Sequence, residues 1–180
     1  MDILKKVKIK LDRINKDGNN LYSLTDFTKL AIEHLYNFIV YQLYSVSIIF
    51  NDIKNATLRI TVNNLILCTI EIDYFERLEY MYEDERGGLI RFSVINILNE
   101  ILDSYNIGIA MPDTAKRYLI VLNIDNVNAD EKVFLEKILE HIQKTLETYM
   151  SIAVSITVSP RRNGLENLPG MLELLVTVDN

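Results

Sequence analysis

The feature that most constrains the fold is an apolar run that ends abruptly in carboxylates. A solid apolar run such as Leu65–Ile72 is typical of a central strand, buried on both faces of a sheet. Glu71 and Asp73 stand at its carboxyl end, and the aromatic pair Tyr74-Phe75 follows. Acids at the end of a buried strand are either solvated surface groups or candidate ligands of a divalent metal ion.

The elements that follow this strand predict an α+β fold with an antiparallel sheet. We expect the order β-α-β-β-α-β-α, read from these segments: a helix at 89–102, strands at 106–111 and 117–124, a helix from 128 to about 149, a strand at 151–158 and a last helix from 165 to about 178. A right-handed crossover gives the sheet order 4-1-3-2, as in palm and ferredoxin-like folds with helices on one face. This order brings Glu71 and Asp73 to the same edge as the hairpin turn at 112–116.

The N-terminal third reads as helical. Residues 2–16 predict a basic amphipathic helix, and residues 24 to about 50 predict one long helix with an unusually wide apolar surface. Two alternatives stay open for this helix: a homodimer contact and packing within the chain. Residues 57–62 alternate as in a strand. We therefore expect a helical linker and dimerisation segment at 1–56 and a second domain at 57–180.

Composition excludes few classes of protein but favours some. The net charge of −6 disfavours a direct nucleic-acid binder, because phosphate contacts need a basic face. Cys68, the chain's one cysteine, fits a reducing cytoplasm, and no secretory signal is recognisable. Residues 35–51 carry no charge, but their polar side chains and short length favour a buried helix over a membrane span.

The element order and two short sequence motifs resemble those of the diguanylate-cyclase (GGDEF) domain. In that family the first strand ends in Asp-Ile-Asp-x-Phe-Lys-x-Ile-Asn, and this chain has Glu71-Ile-Asp-Tyr-Phe-Glu-Arg-Leu-Glu79. A later strand of the family ends in Thr-x-Ser-x-Gly, which matches Ala153–Thr157. The resemblance covers residues 65 to 180.

The resemblance also implies that the chemistry of the family is missing. Its signature Gly-Gly-Asp/Glu-Glu-Phe aligns with Thr114-Ala-Lys-Arg-Tyr118, so the acid that holds Mg²⁺ becomes Lys116. A cation there repels the metal ion, and Cβ atoms at Thr114 and Ala115 hinder the approach of the backbone to a nucleotide. We therefore expect no enzyme, no catalytic residue, no metal and no cofactor. The expected remnant is a vestigial cleft, formed by Glu71, Asp73, Tyr74, Phe75, Lys116 and Arg117.

A closer resemblance is to the degenerate GGDEF-like domain of AraC-type two-component response regulators. In those proteins the domain lies between a receiver and a helix-turn-helix region, which implies cytoplasmic signal transduction and transcription regulation. On this reading the chain is a fragment, with the last helix truncated and the receiver and DNA-binding domains attached in a longer protein. Two alternatives are an allosteric nucleotide-binding module and, as the least favoured, an active cyclase that uses Glu71, Asp73 and Asp113.

Overall fold

The computed structural model describes residues 22–83, 87–124 and 130–178, so the segment at 2–16 lies outside the described residues. Four antiparallel strands form one sheet with the order β2-β3-β1-β4. This confirms the predicted α+β class and strand order. The strands are β1 (Leu65–Ile72), β2 (Ile109–Pro112), β3 (Arg117–Asn123) and β4 (Val154–Val158). The helices are α1 (Tyr22–Tyr41), α2 (Val46–Asn55), α3 (Phe75–Met81), α4 (Gly88–Tyr105), α5 (Glu131–Met150) and α6 (Leu168–Val178), and a 3₁₀ turn at Leu165–Asn167 precedes α6.

The first face of the sheet packs against the two long helices of the predicted β-α-β-β-α-β unit. Ile66, Cys68 and Ile70 of β1 point to this face, where they join buried side chains of α4 and α5 in one core cluster. Val94 and Leu98 of α4 are fully buried there. The periodic apolar residues of these two helices therefore identified both their type and their buried face.

The second face is covered as well, which corrects the expectation of helices on one face. Leu65 and Leu67 of β1 point away from α4 and are fully buried against α1, α2 and α6 in a second core cluster. A continuous apolar strand needs cover on both sides, because either face left open would expose several aliphatic side chains to water. Residues on both sides of the predicted boundary at 56/57 contribute to this cluster.

The long helix predicted at 24–50 is wrong as a single element, because the chain breaks between α1 and α2. Gln42 adopts a left-handed conformation with a φ of 55°, and its amide donates to the carbonyl of Phe38 across 3.1 Å. This arrangement ends α1 with a left-handed C-terminal cap. The Ser45 hydroxyl then accepts from the amide of Ile48 and caps α2. Of the helices described, none has the length and apolar character to cross a bilayer.

The strand predicted at 57–62 is also wrong. This segment is a loop in which Ile60 is buried, and Arg59 accepts a backbone hydrogen bond from Gly108 at 3.0 Å. An ion pair between Arg59 and Asp103 holds it to the end of α4. Its alternating pattern reports burial without strand pairing: Leu58, Ile60 and Val62 pack on the second core cluster, and the residues between them are exposed.

The outer edge of β2 is closed by a side chain. The amide of Ala110 donates to Asn99 Oδ1 at 3.0 Å, and Asn99 Nδ2 donates to the carbonyl of Ala110 at 3.3 Å. The side chain of Asn99 thus takes the place of a neighbouring strand. Satisfying an edge in this way prevents it from pairing with another chain.

Candidate functional site

An open cleft of about 450 Å³ lies at the carboxyl end of β1. The β2–β3 turn and strand β4 border it, as the predicted strand order requires. Its lining residues are Glu71, Ile72, Asp73, Tyr74, Phe75, Glu76, Lys116 and Ser155. The sheet therefore brings together residues that are more than eighty positions apart in the sequence, with carboxylates as the commonest charged groups.

Both acids at the end of β1 already have partners. Lys116 Nζ lies 3.0 Å from Glu71 Oε1, and the Ser155 hydroxyl donates to Asp73 Oδ1 at 2.8 Å. The hydrogen bond to Glu71, together with its charge, raises the pKa of Lys116 above its ordinary value, so that the ammonium group stays protonated. A divalent ion at this place would have to compete with a fixed cation for the Glu71 carboxylate.

The turn that carries Lys116 forms without glycine. The amides of Asp113 and Thr114 both donate to the carbonyl of Arg117, at 2.9 and 3.1 Å, and the amide of Arg117 donates to Thr114 Oγ1 at 3.1 Å. Thr114, Ala115 and Lys116 are not among the described residues that have positive φ. Because the turn is closed by the threonine side chain and by ordinary backbone conformations, residues with Cβ atoms fit at each of these three positions.

The two aromatic residues after β1 lie in different environments, one beside the cleft and one in the core. Tyr74 adopts a left-handed conformation with a φ of 55° and is 81% exposed beside the cleft. Phe75 begins α3 and is buried. Its ring packs so closely on Gly87, just before α4, that a Cβ at Gly87 would lie 2.7 Å from the ring. The Phe75 ring thus occupies the space that a side chain at position 87 would need.

A second polar group joins the same turn to helix α1. The Tyr36 hydroxyl donates to Asp113 Oδ1 at 2.6 Å, and Arg117 Nε donates to Asp113 Oδ2 at 2.5 Å. The Asp113 side chain is only 5% exposed, so these two donors satisfy a carboxyl group that water barely reaches. Burial first, and then the Asp113 carboxylate, raise the pKa of Tyr36. The folded chain therefore holds this proton more tightly than the unfolded chain, which gives stability below about pH 10 that is lost at higher pH.

The structure gathers most of the predicted cleft and separates one member from it. Glu71, Asp73, Tyr74, Phe75 and Lys116 line the cleft together. Arg117, although it lies opposite Glu71 in the β1–β3 register, turns toward α1 and Asp113 instead.

Two residues were not assigned to the site from the sequence. Ser155 was noted as part of a matching strand, and its place beside Glu71 follows from the β1–β4 register. Tyr36 gave no comparable signal, because it lies 77 residues from its partner Asp113.

The chemistry available to this arrangement is electrostatic. Within the described ranges, no group of three or more His, Cys, Asp or Glu side chains is arranged to hold a metal ion. The cleft presents the ammonium group of Lys116, the hydroxyl group of Ser155 and the carboxylates of Glu71 and Asp73, which these two side chains hold. Charged and hydroxyl groups of this kind bind polar or charged ligands through charge-assisted hydrogen bonds.

Comparison with known proteins does not assign the chain to a family. No protein-family model matches the sequence, and no curated protein matches it.

The contact between Phe75 and Gly87 gives a test of how the floor of the cleft is built. We expect Gly87→Ala to lower stability by about 1–3 kcal/mol, because a Cβ meets the Phe75 ring and the left-handed conformation disfavours alanine. Gly88→Ala is the matched control: a Cβ there has open space, and alanine favours the first turn of α4. Urea unfolding of both variants measures the difference. Equal midpoints for the two variants would contradict the packing described.

Proposed function

We propose that this chain is a non-catalytic signalling domain of a two-component transcriptional response regulator. It relays a conformational or dimerisation change to an output domain and acts in the cytoplasm. On this proposal it is a degenerate GGDEF-like domain of the AraC-type regulators, joined in the longer protein to receiver and DNA-binding domains. It forms a homodimer through residues 24–50 and makes no direct contact with nucleic acid.

The observation that carries this proposal is the ion pair between Lys116 and Glu71. In a two-metal phosphoryl-transfer site, carboxylates from the strand end and the facing turn neutralise the phosphates through Mg²⁺. Here the turn supplies an ammonium group that lies 3.0 Å from the strand-end carboxylate. The pair forms a closed contact within the protein, which supports a role that does not require catalysis.

A route from the cleft to the N-terminal helix supports the relay. Lys116 and Arg117 are consecutive residues of one turn, and they form ion pairs with Glu71 in the cleft and with Asp113. Asp113 in turn binds Tyr36 of α1. A shift of α1 along its axis is therefore coupled to the turn by a short, charge-assisted hydrogen bond and two ion pairs.

An exposed apolar strip on α1 and α2 supports the homodimer. The strip consists of the large apolar side chains of α1, α2 and their connection that are at least 37% exposed. Its members are Phe27, Leu30, Tyr41, Leu43, Tyr44, Val46, Ile48 and Phe50. A concentration of exposed apolar side chains along one stretch of chain favours an interaction surface there.

Incubation with GTP tests the absence of catalysis. With Mg²⁺ or Mn²⁺ present, we expect no cyclic dinucleotide, because Lys116 occupies the position of a metal-binding acid. Chromatography of the nucleotide products is the measurement, and an active cyclase domain in the same assay is the positive control. Product formed by this chain and lost in Glu71→Gln would overturn the proposal.

Substitution of Tyr36 tests the relay. Tyr36→Phe removes one of the two donors to the buried Asp113 carboxylate, so we expect a loss of about 1–3 kcal/mol of stability. A relay also requires that the turn responds. We expect shifts in the NMR signals of Lys116 and of the Ile72 amide, which donates to the Lys116 carbonyl at 2.8 Å.

Tyr41→Phe is the matched control for this experiment, because Tyr41 lies on the same helix and is 62% exposed. Changes confined to α1, with the signals of the turn unmoved, would count against the relay while leaving the GTP result intact.

A second candidate is an allosteric nucleotide-binding module, which is favoured by the open cleft with Lys116 and the exposed ring of Tyr74 at its border. On this view the ammonium group leaves Glu71 and meets a phosphate directly. GTP or a cyclic dinucleotide at millimolar concentration then raises the melting temperature without metal. Lys116→Ala abolishes this shift and Lys137→Ala, an exposed lysine on α5, does not. No shift in the unmodified chain removes this candidate.

A further inference from the structure

Strand β4 is the outer strand on the side of the sheet opposite β2. Its inward hydrogen bonds are identified by two contacts at its ends: the Ser159 amide donates to the Leu67 carbonyl at 2.9 Å, and the Asp73 amide donates to the Ala153 carbonyl at 3.0 Å. Backbone groups alternate in direction along an antiparallel strand. Ser155 and Thr157 therefore face β1, and the N–H and C=O groups of the intervening residues point outward. These outward residues are Val154, Ile156 and Val158.

Nothing in the described ranges pairs with this outward edge. Beyond the β1 ladder, no backbone hydrogen bond involves Val154, Ile156 or Val158. The opposite edge of the sheet differs, because Asn99 binds both backbone groups of Ala110 there. Strand β4 also lacks the charged side chain and the internal proline with which proteins usually protect an edge. As far as residues 22–83, 87–124 and 130–178 show, the sheet is protected at one edge and open at the other.

The sequence of β4 is close to a palindrome about its central residue. Val-Ser-Ile-Thr-Val has valine at both ends and a small hydroxyl residue on each side of Ile156. We infer that β4 pairs antiparallel with β4 of a second copy of this chain, about a two-fold axis at Ile156. This pairing places Val154 opposite the partner's Val158, Ile156 opposite the partner's Ile156, and Ser155 opposite the partner's Thr157.

The pairing is favourable in its backbone hydrogen bonds, its side-chain contacts, its charge and its symmetry. The three outward residues form hydrogen-bonded pairs with their partner copies, each with two backbone hydrogen bonds. Aliphatic β-branched side chains meet on one face and hydroxyl groups on the other, both favourable cross-strand pairs. No like charges approach each other at the axis, because β4 carries none. The contact is isologous, so it joins two four-stranded sheets into one of eight strands and then closes.

The edge also has a defined end. After Ser159 the chain bulges at Pro160-Arg161, and Arg162 pairs with Leu65 through bonds of 2.8 and 2.9 Å. A bulge with a proline cannot extend the ladder, so the pairing stops at Val158. The contact places the cleft residue Ser155 directly beside the second copy, on the pairing strand itself.

Amide hydrogen exchange of the whole chain, followed residue by residue by NMR, tests this pairing. Between roughly 20 µM and roughly 1 mM, where so small a contact should assemble, we expect the protection of the outward amides to rise at least tenfold. These are the amides of Val154, Ile156 and Val158. The protection of the Ser155 and Thr157 amides should be the same at both concentrations, since these amides already donate hydrogen bonds to β1. Outward amides that exchange equally fast at both concentrations would overturn the inference.

Two variants and one control complete the test. Ile156→Pro removes an N–H that points outward, and Thr157→Lys places a charge on the edge; both should abolish the concentration dependence. Thr157→Lys keeps the test valid if the proline variant fails to fold. Thr148→Lys on the exposed side of α5 is the matched control and should leave the dependence unchanged. Concentration-dependent protection that survives in a folded Thr157→Lys variant would contradict the pairing.

This inference stands apart from the dimer proposed through α1 and α2. A dimer formed only by the α1–α2 strip raises the mass in sedimentation but leaves the three outward amides unprotected, which overturns the β4 pairing and supports the strip. Leu30→Glu removes an exposed apolar side chain of the strip. Concentration-dependent protection that persists in this variant supports β4 pairing independently of the strip.

Discussion

Strand β1 is hydrogen-bonded along both edges and packed on both faces, and the rest of the structure is arranged around it. Fully burying one aliphatic side chain contributes about 1.5–3 kcal/mol, so its leucines and isoleucines favour two helical layers over one. The strand is shielded from water along its length, and this burial raises the pKa of the Cys68 thiol to about 12. Both helical layers pack on this strand, so a change in one layer that displaces β1 also alters the packing of the other layer.

The end of β1 sets the character of the cleft. There the strand leaves the core, and its carboxylates meet the facing turn, whose sequence decides what they bind. An acid in the turn would repel Glu71 unless a metal ion lay between them, whereas Lys116 attracts it directly. The turn is therefore part of a polar network within the protein, which continues through Arg117, Asp113 and Tyr36.

The hydrophobic pattern of the sequence predicted those helices and strands whose apolar residues are the buried ones. It identified β1, α4, α5 and the strand order, because long periodic segments leave few arrangements of the chain. It failed at residues 42–45, where a left-handed Gln42 and the cap at Ser45 outweigh the apolar run on either side. It failed again at 57–62, since alternation alone does not show whether a neighbouring strand exists.

The site was predictable to the extent that it depends on register. The strand order brought Glu71, Asp73 and Lys116 together, and the β1–β4 register places Ser155 beside them. The orientation of Arg117 was not predictable from the sequence. Arg117 turns to Asp113, and Tyr36 of α1 binds the same carboxylate from 77 residues away, a contact that leaves no local pattern in the sequence.

The two edges of the sheet are treated differently, and Asn99 makes the difference. On the β4 pairing inferred above, a closed β2 limits the shared sheet to two copies, whatever the α1–α2 strip contacts. Were Asn99 lost, each copy would carry two usable edges, and the sheet could grow without end. A single amide on α4 thus separates a finite sheet from a fibre.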